Sequence, residues 1–164
     1  MAQVYVSLGT NVDRDKNLVG GLDALADVFG RLSLSSLFES EAVGFAGSAF
    51  YNMVIGFSTD LSLGDLHQTL RNIEYQHGRT LDAAKFSPRS LDLDILLYDN
   101  QVTIEPIELP RAEITENAFV LWPLSELIPD DIHPLTNKSY VQLWHEFDHH
   151  SQKLEMKPLN WQQQ

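Results

Sequence analysis

This sequence predicts an α+β fold: a mainly antiparallel sheet with helices packed on one face, in the ferredoxin-like order strand–helix–strand–strand–helix–strand. Three observations lead there. Strand-like runs stand at 4–8, 32–38, 50–57 and 91–98; Val4, Val6 and Leu8 alternate in the first, and Leu91, Leu93 and Ile95 in the last, before an apolar run. Two stretches between them repeat at helical spacing, Leu18-Leu22-Leu25-Phe29 and Leu63-Leu66-Leu70-Ile73. No linker, internal repeat or low-complexity tract separates them, so residues 1–164 read as one domain large enough for its own core.

The elements follow in order. Val4, Val6 and Leu8 give a first strand that ends at Gly9-Thr10-Asn11. The helix after it is expected to stop at Gly30, since glycine accepts the conformation that ends helices. Residues 32–38 read as one strand. Residues 39–49 carry two glycines and little periodicity, and read as a loop. A third strand covers 50–57. Ser62, with Asp65 three positions on, resembles a capping box and opens the second helix, which Gly78 closes. Residues 80–89 read as a second loop. The strand from Leu91 runs to Tyr98, and Asp99-Asn100 signals a turn into a return strand at 102–104. The pattern becomes helical around Phe119-Val120-Leu121, with Pro123 as its expected limit. Tyr140, Leu143, Trp144 and Phe147 predict a last short helix. The tail from Ser151 is polar and reads either as loose chain or as an added strand.

Composition narrows the function. The chain carries 23 acidic against 11 basic side chains, a net charge of −12. That disfavours nucleic acid or an anionic membrane as partner, both of which call for a basic face. There is no cysteine, hence no disulfide, thiol nucleophile or zinc–thiolate site. No apolar stretch approaches membrane-spanning length, and the expectation is a cytoplasmic monomer acting on small molecules.

The most informative segment is Pro88-Arg89-Ser90-Leu91-Asp92-Leu93-Asp94-Ile95. Side chains alternate on a strand, so Asp92 and Asp94 share the face opposite Leu91, Leu93 and Ile95. Two adjacent carboxylates repel one another and resist desolvation. A solvated strand edge relieves this in one way. A hard divalent cation such as Mg²⁺ relieves it in another. Arg89 lies five residues before Asp94, and Arg79 directly follows the terminating Gly78. Arg79 reads as a cation at a negative helix end or as half of a phosphate clamp with Arg89. Glu74 falls four residues after Leu70, at the edge of the buried helix face. Asn52 lies inside an apolar strand, where its amide satisfies backbone or reads the edge of a heterocycle. Phe50 and Phe119 read as core or as stacking partners for such a ring. His145 and His149, four apart, have a metal spacing without a third ligand and read as a solvated helix end. Trp122, Trp144 and Trp161 read as packing.

These residues resemble the 6-hydroxymethyl-7,8-dihydropterin pyrophosphokinase family of folate biosynthesis. The resemblance runs from about residue 4 to about residue 129 and leaves 130–164 as a C-terminal helix and tail. It rests on Ser7-Leu8-Gly9-Thr10-Asn11, Phe50-Tyr51-Asn52, Ile73-Glu74 with Gly78-Arg79, the Pro88–Ile95 string, and Phe119-Val120-Leu121 with Pro123-Leu124. It implies transfer of diphosphate from ATP to the pterin hydroxymethyl group, releasing AMP. It implies two Mg²⁺ ions on Asp92 and Asp94, and charge neutralisation by Arg79 and Arg89. Asn52 and the backbone near Val43 and Gly44 would read the pterin edge, with Phe50 and Phe119 about the ring. Glu74, Lys85, Ile95 and Arg111 would serve the nucleotide side. Positioning and charge stabilisation suffice for such a transfer, so no Ser, Cys or His nucleophile is needed.

Some positions depart from the family pattern. The segment Thr80–Ser87 holds a single cation, Lys85, where relatives are rich in Arg and carry a Trp. Pro110-Arg111-Ala112 stands where Pro-His is usual, and Asn117 where Arg is usual. The first loop reads Ser40-Glu41-Ala42-Val43-Gly44 for a Thr-x-Pro-x-Gly pattern. The same residues are compatible with a pterin-binding relative of low transfer activity, or with another Mg²⁺-dependent enzyme, such as a nucleotidyl cyclase, on this scaffold.

Overall fold

The computed structural model describes residues 1–40, 49–78 and 90–163. Its elements are β1 (Ala2–Thr10), α1 (Arg14–Phe29), β2 (Ser33–Leu34), β3 (Leu37–Ser40), β4 (Phe50–Thr59), α2 (Leu63–Gln76), β5 (Asp92–Tyr98), α3 (Glu113–Glu116), α4 (Ala118–Leu127), α5 (Tyr140–Glu146) and β6 (Leu154–Lys157). The strands form one sheet in the order β5-β1-β4-β3-β6, with β2 also on β4. Every pairing is antiparallel. β1 and β3 are joined through α1 and run parallel, with β4 between them. β4 and β5 are joined through α2, with β1 between them. These interlocked split units are the ferredoxin-like arrangement the sequence predicts.

Local chemistry explains the boundaries. Gly30 sits at φ 77 and its N–H returns to the Ala26 carbonyl, ending α1. Ser62 caps α2 by accepting the Asp65 N–H at 3.2 Å, and Gly78, at φ 95, follows its end. Ser139 caps α5 in the same way through Gln142. The Asp99-Asn100 turn closes with the Gln101 N–H on the Tyr98 carbonyl.

Four expectations are corrected. Residues 32–38 form two short strands, because Ser35 and Ser36 interrupt the ladder. The Ser35 hydroxyl takes the Val54 N–H at 2.9 Å, while the Ser36 N–H and hydroxyl both turn to the Glu126 carboxylate. The return strand at 102–104 is absent. Thr103 pairs only with Leu109, and Val102 and Ile104 are exposed. α4 runs past Pro123 to Leu127. Pro123 has no N–H to give, but Val120, Leu121 and Leu124 are buried, and that burial holds the helix together. Finally, helices cover both faces of the sheet. The tail supplies β6, which completes the edge beside β3.

The two faces have different roles. Val4, Val6, Leu8, Met53, Ile55, Phe57, Leu93 and Ile95 meet Leu22 and Leu25 of α1 and Leu66, Leu70 and Ile73 of α2 in the larger core. Phe29 stacks on Phe57 at 4.1 Å. On the other face Val54, Leu96 and Leu97 pack under Val120, Leu121 and Leu124 of α4 and Tyr140 of α5. Trp122 stacks on Trp144 and abuts Phe38, so these indoles are packing, as expected. Among the described residues no helix is long and apolar enough to cross a membrane.

β5 serves both faces through a bulge. Its register with β1 shifts by one between Val6–Ile95 and Tyr5–Leu97, leaving Leu96 without an opposite residue. Before the shift Leu93 and Ile95 face α1 and α2. After it Leu96 and Leu97 both join the opposite core, and Tyr98 packs on the first.

β5 pairs with β1 along one edge only, and α2 holds its other side. Glu74 is fully buried, and its carboxylate accepts the Leu93 N–H at 2.8 Å and the Arg71 guanidinium at 3.2 Å. Replacing it with an isosteric apolar residue would strand the Leu93 amide in the interior. Glu74→Leu is expected to lower stability by on the order of 2 kcal/mol, read from guanidinium unfolding of the two proteins.

Candidate active site

The site lies on the sheet face away from α1 and α2, at the end of β1 that leads into Asn11. Asp92 pairs across the ladder with Gly9 and Asp94 with Ser7. On the far side of β1, Gly9 pairs with Asn52. Small residues in the middle strand thus separate the carboxylates from the amide and leave room above it. The result is a cavity of about 200 Å³ whose walls are Ser7, Leu8, Gly9, Ser40, Phe50, Asn52, Asp92, Asp94, Glu113 and Phe119. Phe119 comes from the first turn of α4, and Glu113 from α3.

Asn52 is buried, and its amide is oriented. Nδ2 donates to the Ser40 hydroxyl at 2.7 Å, and more distantly to the Phe50 carbonyl at 3.5 Å. Oδ1 lies 3.6 Å from where a Cβ on Gly9 would stand, so the acceptor end faces the cavity. Ser40 is placed by its pairing with Phe50 at the end of β3.

The acidic side is desolvated. Burial first, and then the neighbouring Asp92 carboxylate, push the Asp94 carboxyl up to about 8. Glu113 adds to this, and Arg111 opposes it. Arg111 reaches Asp94 at 3.6 Å and binds Glu113 more closely, at 2.7 Å through Nη2 and 2.9 Å through Nε. The Arg111 N–H donates to the carbonyl of the bulged Leu96 at 3.1 Å, so the bulge also fixes where this guanidinium starts. Thr10 donates its hydroxyl to the Ser90 carbonyl and anchors the entrance of β5.

The structure therefore brings together Asp92, Asp94, Asn52, Phe50 and Phe119, with Arg111 beside them. Glu74 and Ile95 do not line the cavity. Ile95 is buried on the opposite face, and Glu74 sits behind β5 on the Leu93 amide. Arg79, Arg89, Lys85, Val43 and Gly44 lie outside the described residues. His149 is not on α5 with His145. Its ring stacks on Trp144 at 4.0 Å. Ser7, Ser40 and Glu113 are cavity residues to which the sequence reading gave no role of their own. Alternation in β1 places Ser7 on the face of Gly9, and Glu113 follows Arg111 by two. Nothing local marks Ser40, whose role depends on pairing with β4.

The comparisons with known proteins fit this geometry. A family model described as 7,8-dihydro-6-hydroxymethylpterin-pyrophosphokinase matches residues 5–129. The chain is 33% identical over 141 residues to the 2-amino-4-hydroxy-6-hydroxymethyldihydropteridine pyrophosphokinase of Aquifex aeolicus, covering 84% of this chain and 88% of that one. It is 37% identical over 136 residues to the enzyme of the same name from Pseudomonas aeruginosa, covering 78% and 82%. The fold is shared with Plasmodium falciparum HPPK-DHPS solved with pteroate, at TM-score 0.70 and 13% identity. The match covers 88% of this chain but 42% of that longer one. With the model spanning most of its length, the chain belongs to the 7,8-dihydro-6-hydroxymethylpterin-pyrophosphokinase family.

Proposed function

We infer that this chain is a 2-amino-4-hydroxy-6-hydroxymethyldihydropteridine pyrophosphokinase, which moves the pyrophosphoryl group of ATP onto hydroxymethyldihydropterin in folate synthesis and releases AMP. Family membership supports the reaction. The observation that carries it to these residues is the cavity itself: an oriented amide and two phenyl rings beside a same-face carboxylate pair.

The pterin lies in the cavity between Phe50 and Phe119. Its polar edge meets the Asn52 Oδ1, with Val43 and Gly44 completing the contact. Ser40 keeps the amide from flipping by occupying Nδ2. The nucleotide approaches from the Asp92 and Asp94 side. Among the described residues no group of three His, Cys, Asp or Glu side chains is placed to hold a metal ion by itself. A pair of carboxylates facing a cavity fits Mg²⁺, which completes its shell with water and phosphate oxygens. Two Mg²⁺ ions on Asp92 and Asp94, when bound, neutralise phosphate charge.

The chain's own residues supply the rest. Arg111 is held by Glu113 whether or not it touches Asp94, so it can turn to a phosphate oxygen without losing its anchor. Arg79 and Arg89 stabilise charge as the β-phosphorus leaves the oxygen it shares with the α-phosphorus and bonds to the pterin hydroxymethyl oxygen. Lys85 and Ile95 serve the nucleotide side, and Glu74 acts from behind by fixing β5. The chain works as a cytoplasmic monomer and a single domain over 1–164, without nucleic-acid or membrane partners. Its net charge of −12 supports a small-molecule role.

Three outcomes test this. With ATP, Mg²⁺ and 6-hydroxymethyl-7,8-dihydropterin, AMP should form only when the pterin is present, and Asp94→Asn should cut its rate by about 100-fold or more. AMP formation at the wild-type rate in that variant would sink the assignment. Gly9→Ala would put a methyl 3.6 Å from Asn52 Oδ1 and 3.9 Å from the Phe50 ring, an ordinary contact for the fold but an intrusion into the slot. Its melting temperature should hold while pterin affinity by calorimetry falls by about tenfold. The third outcome concerns pH. The folded chain keeps the Asp94 proton up to about pH 8, whereas an unperturbed Asp releases it near 3.8. The folded state therefore binds more protons between these values, and stability of the metal-free protein falls as pH rises through that window. Urea unfolding at pH 5 and pH 8.5 should show this fall, and Asp94→Asn should flatten it.

A further inference from the structure

We infer that Gln152 is a positioning residue for the cavity, clamping the first turn of α4 and so setting Phe119. This rests on the pterin reading above.

Asn117 stands at the N-cap of α4 but makes no capping bond with its side chain. Its Nδ2 donates instead to Glu113 Oε2 at 3.3 Å. The first N–H of the helix, that of buried Ala118, finds its acceptor 34 residues away in Gln152 Oε1, at 2.7 Å. The same carboxamide donates from Nε2 to the Glu116 carbonyl at 2.9 Å. One side chain thus holds the backbone on both sides of Asn117, immediately before Phe119.

The segment bearing Gln152 is itself fixed on both sides. Before it, His149 stacks on Trp144, and the Ser151 N–H closes a turn on the Asp148 carbonyl. After it, Leu154 pairs with Ser40, the residue that orients Asn52. Within three residues the tail therefore grips two cavity walls, the helix turn of Phe119 and the strand end of Ser40. Neither grip touches Asp92 or Asp94. Loosening the clamp should thus weaken hold on the pterin more than on the nucleotide, because Arg111 keeps its own N–H bond to the Leu96 carbonyl and meets the clamp only through Glu113 and α3.

Gln152→Ala and Gln152→Glu test this. The Glu variant keeps an oxygen acceptor for the Ala118 N–H, with a charge that a helix N-terminus favours, but gives up the donor to the Glu116 carbonyl. Gln152→Ala should raise KM for the pterin by about fivefold, the size of a lost cap, and leave KM for ATP within about twofold. Hydrogen exchange at the Ala118 amide should speed up in the same variant. Gln152→Glu, which keeps only the Ala118 side of the clamp, should restore the Ala118 protection and recover part of the pterin KM. A matching rise in KM for ATP, an unchanged KM for the pterin in Gln152→Ala, or equal Ala118 exchange in the two variants would overturn the inference. If the wild-type chain made no pterin-dependent AMP, the functional reading would fall separately. Ala118 exchange would still decide the clamp: acceleration in Gln152→Ala with recovery in Gln152→Glu upholds it, and equal protection in all three proteins overturns it.

Discussion

The site depends on one hydrogen bond made from behind the sheet. Leu93 lies between Asp92 and Asp94, and its N–H is taken by the buried carboxylate of Glu74. A charge in an apolar helix face is costly unless it is paired and hydrogen-bonded. Here the Leu93 amide and Arg71 meet that need. In return the bond ties the phase of strand β5 to the phase of helix α2. Leu66, Leu70 and Ile73 place Glu74 against the strand. With the Leu93 and Ile95 side chains in the larger core, alternation leaves both neighbouring carboxylates on the opposite face.

Both faces of the sheet are buried, and they are packed differently. On the α1–α2 side, large aliphatic residues from β1, β4 and β5 meet two amphipathic helices. On the other side, α4 and α5 cover only the half of the sheet where Val54, Leu96 and Leu97 lie. Where β1 offers the small residues Ser7 and Gly9, the described residues leave the space of the pocket. Polar groups gather there because each has a partner nearby: Asn52 on Ser40, Arg111 on Glu113, Asn117 on Glu113. Asp94 keeps its proton in the metal-free chain for the same reason, since burial beside Asp92 outweighs the help of Arg111.

Much of this was legible in the sequence, for reasons that can be stated. Alternation gave the shared face of Asp92 and Asp94, and helical spacing gave both core helices, since burial on one side imposes those periods. The local cap at Ser62 and the stops at Gly30 and Gly78 needed only neighbouring residues. What was illegible depends on partners far along the chain. Ser35 breaks a strand because Val54 stands opposite. α4 passes Pro123 because the second core holds it, so packing overrides propensity. Glu74 reads as a site residue at one helix end, yet its partner is an amide 19 residues on. Ser40 and Gln152 have no signature of their own, because each is defined by what it touches.

The bulge at Leu96 divides β5 into two reading frames. Upstream of it, alternation is constrained by chemistry, since moving Asp92 or Asp94 by one place would turn a carboxylate into the core. Downstream, Leu96, Leu97 and Tyr98 answer only to packing. The extra residue uncouples these demands, and its carbonyl holds Arg111 where the two meet. Without it, a single alternation would have to satisfy both, and every change in the anchor would be transmitted to the carboxylates. With it, the anchoring half of the strand packs in its own frame while the acidic half stays in phase.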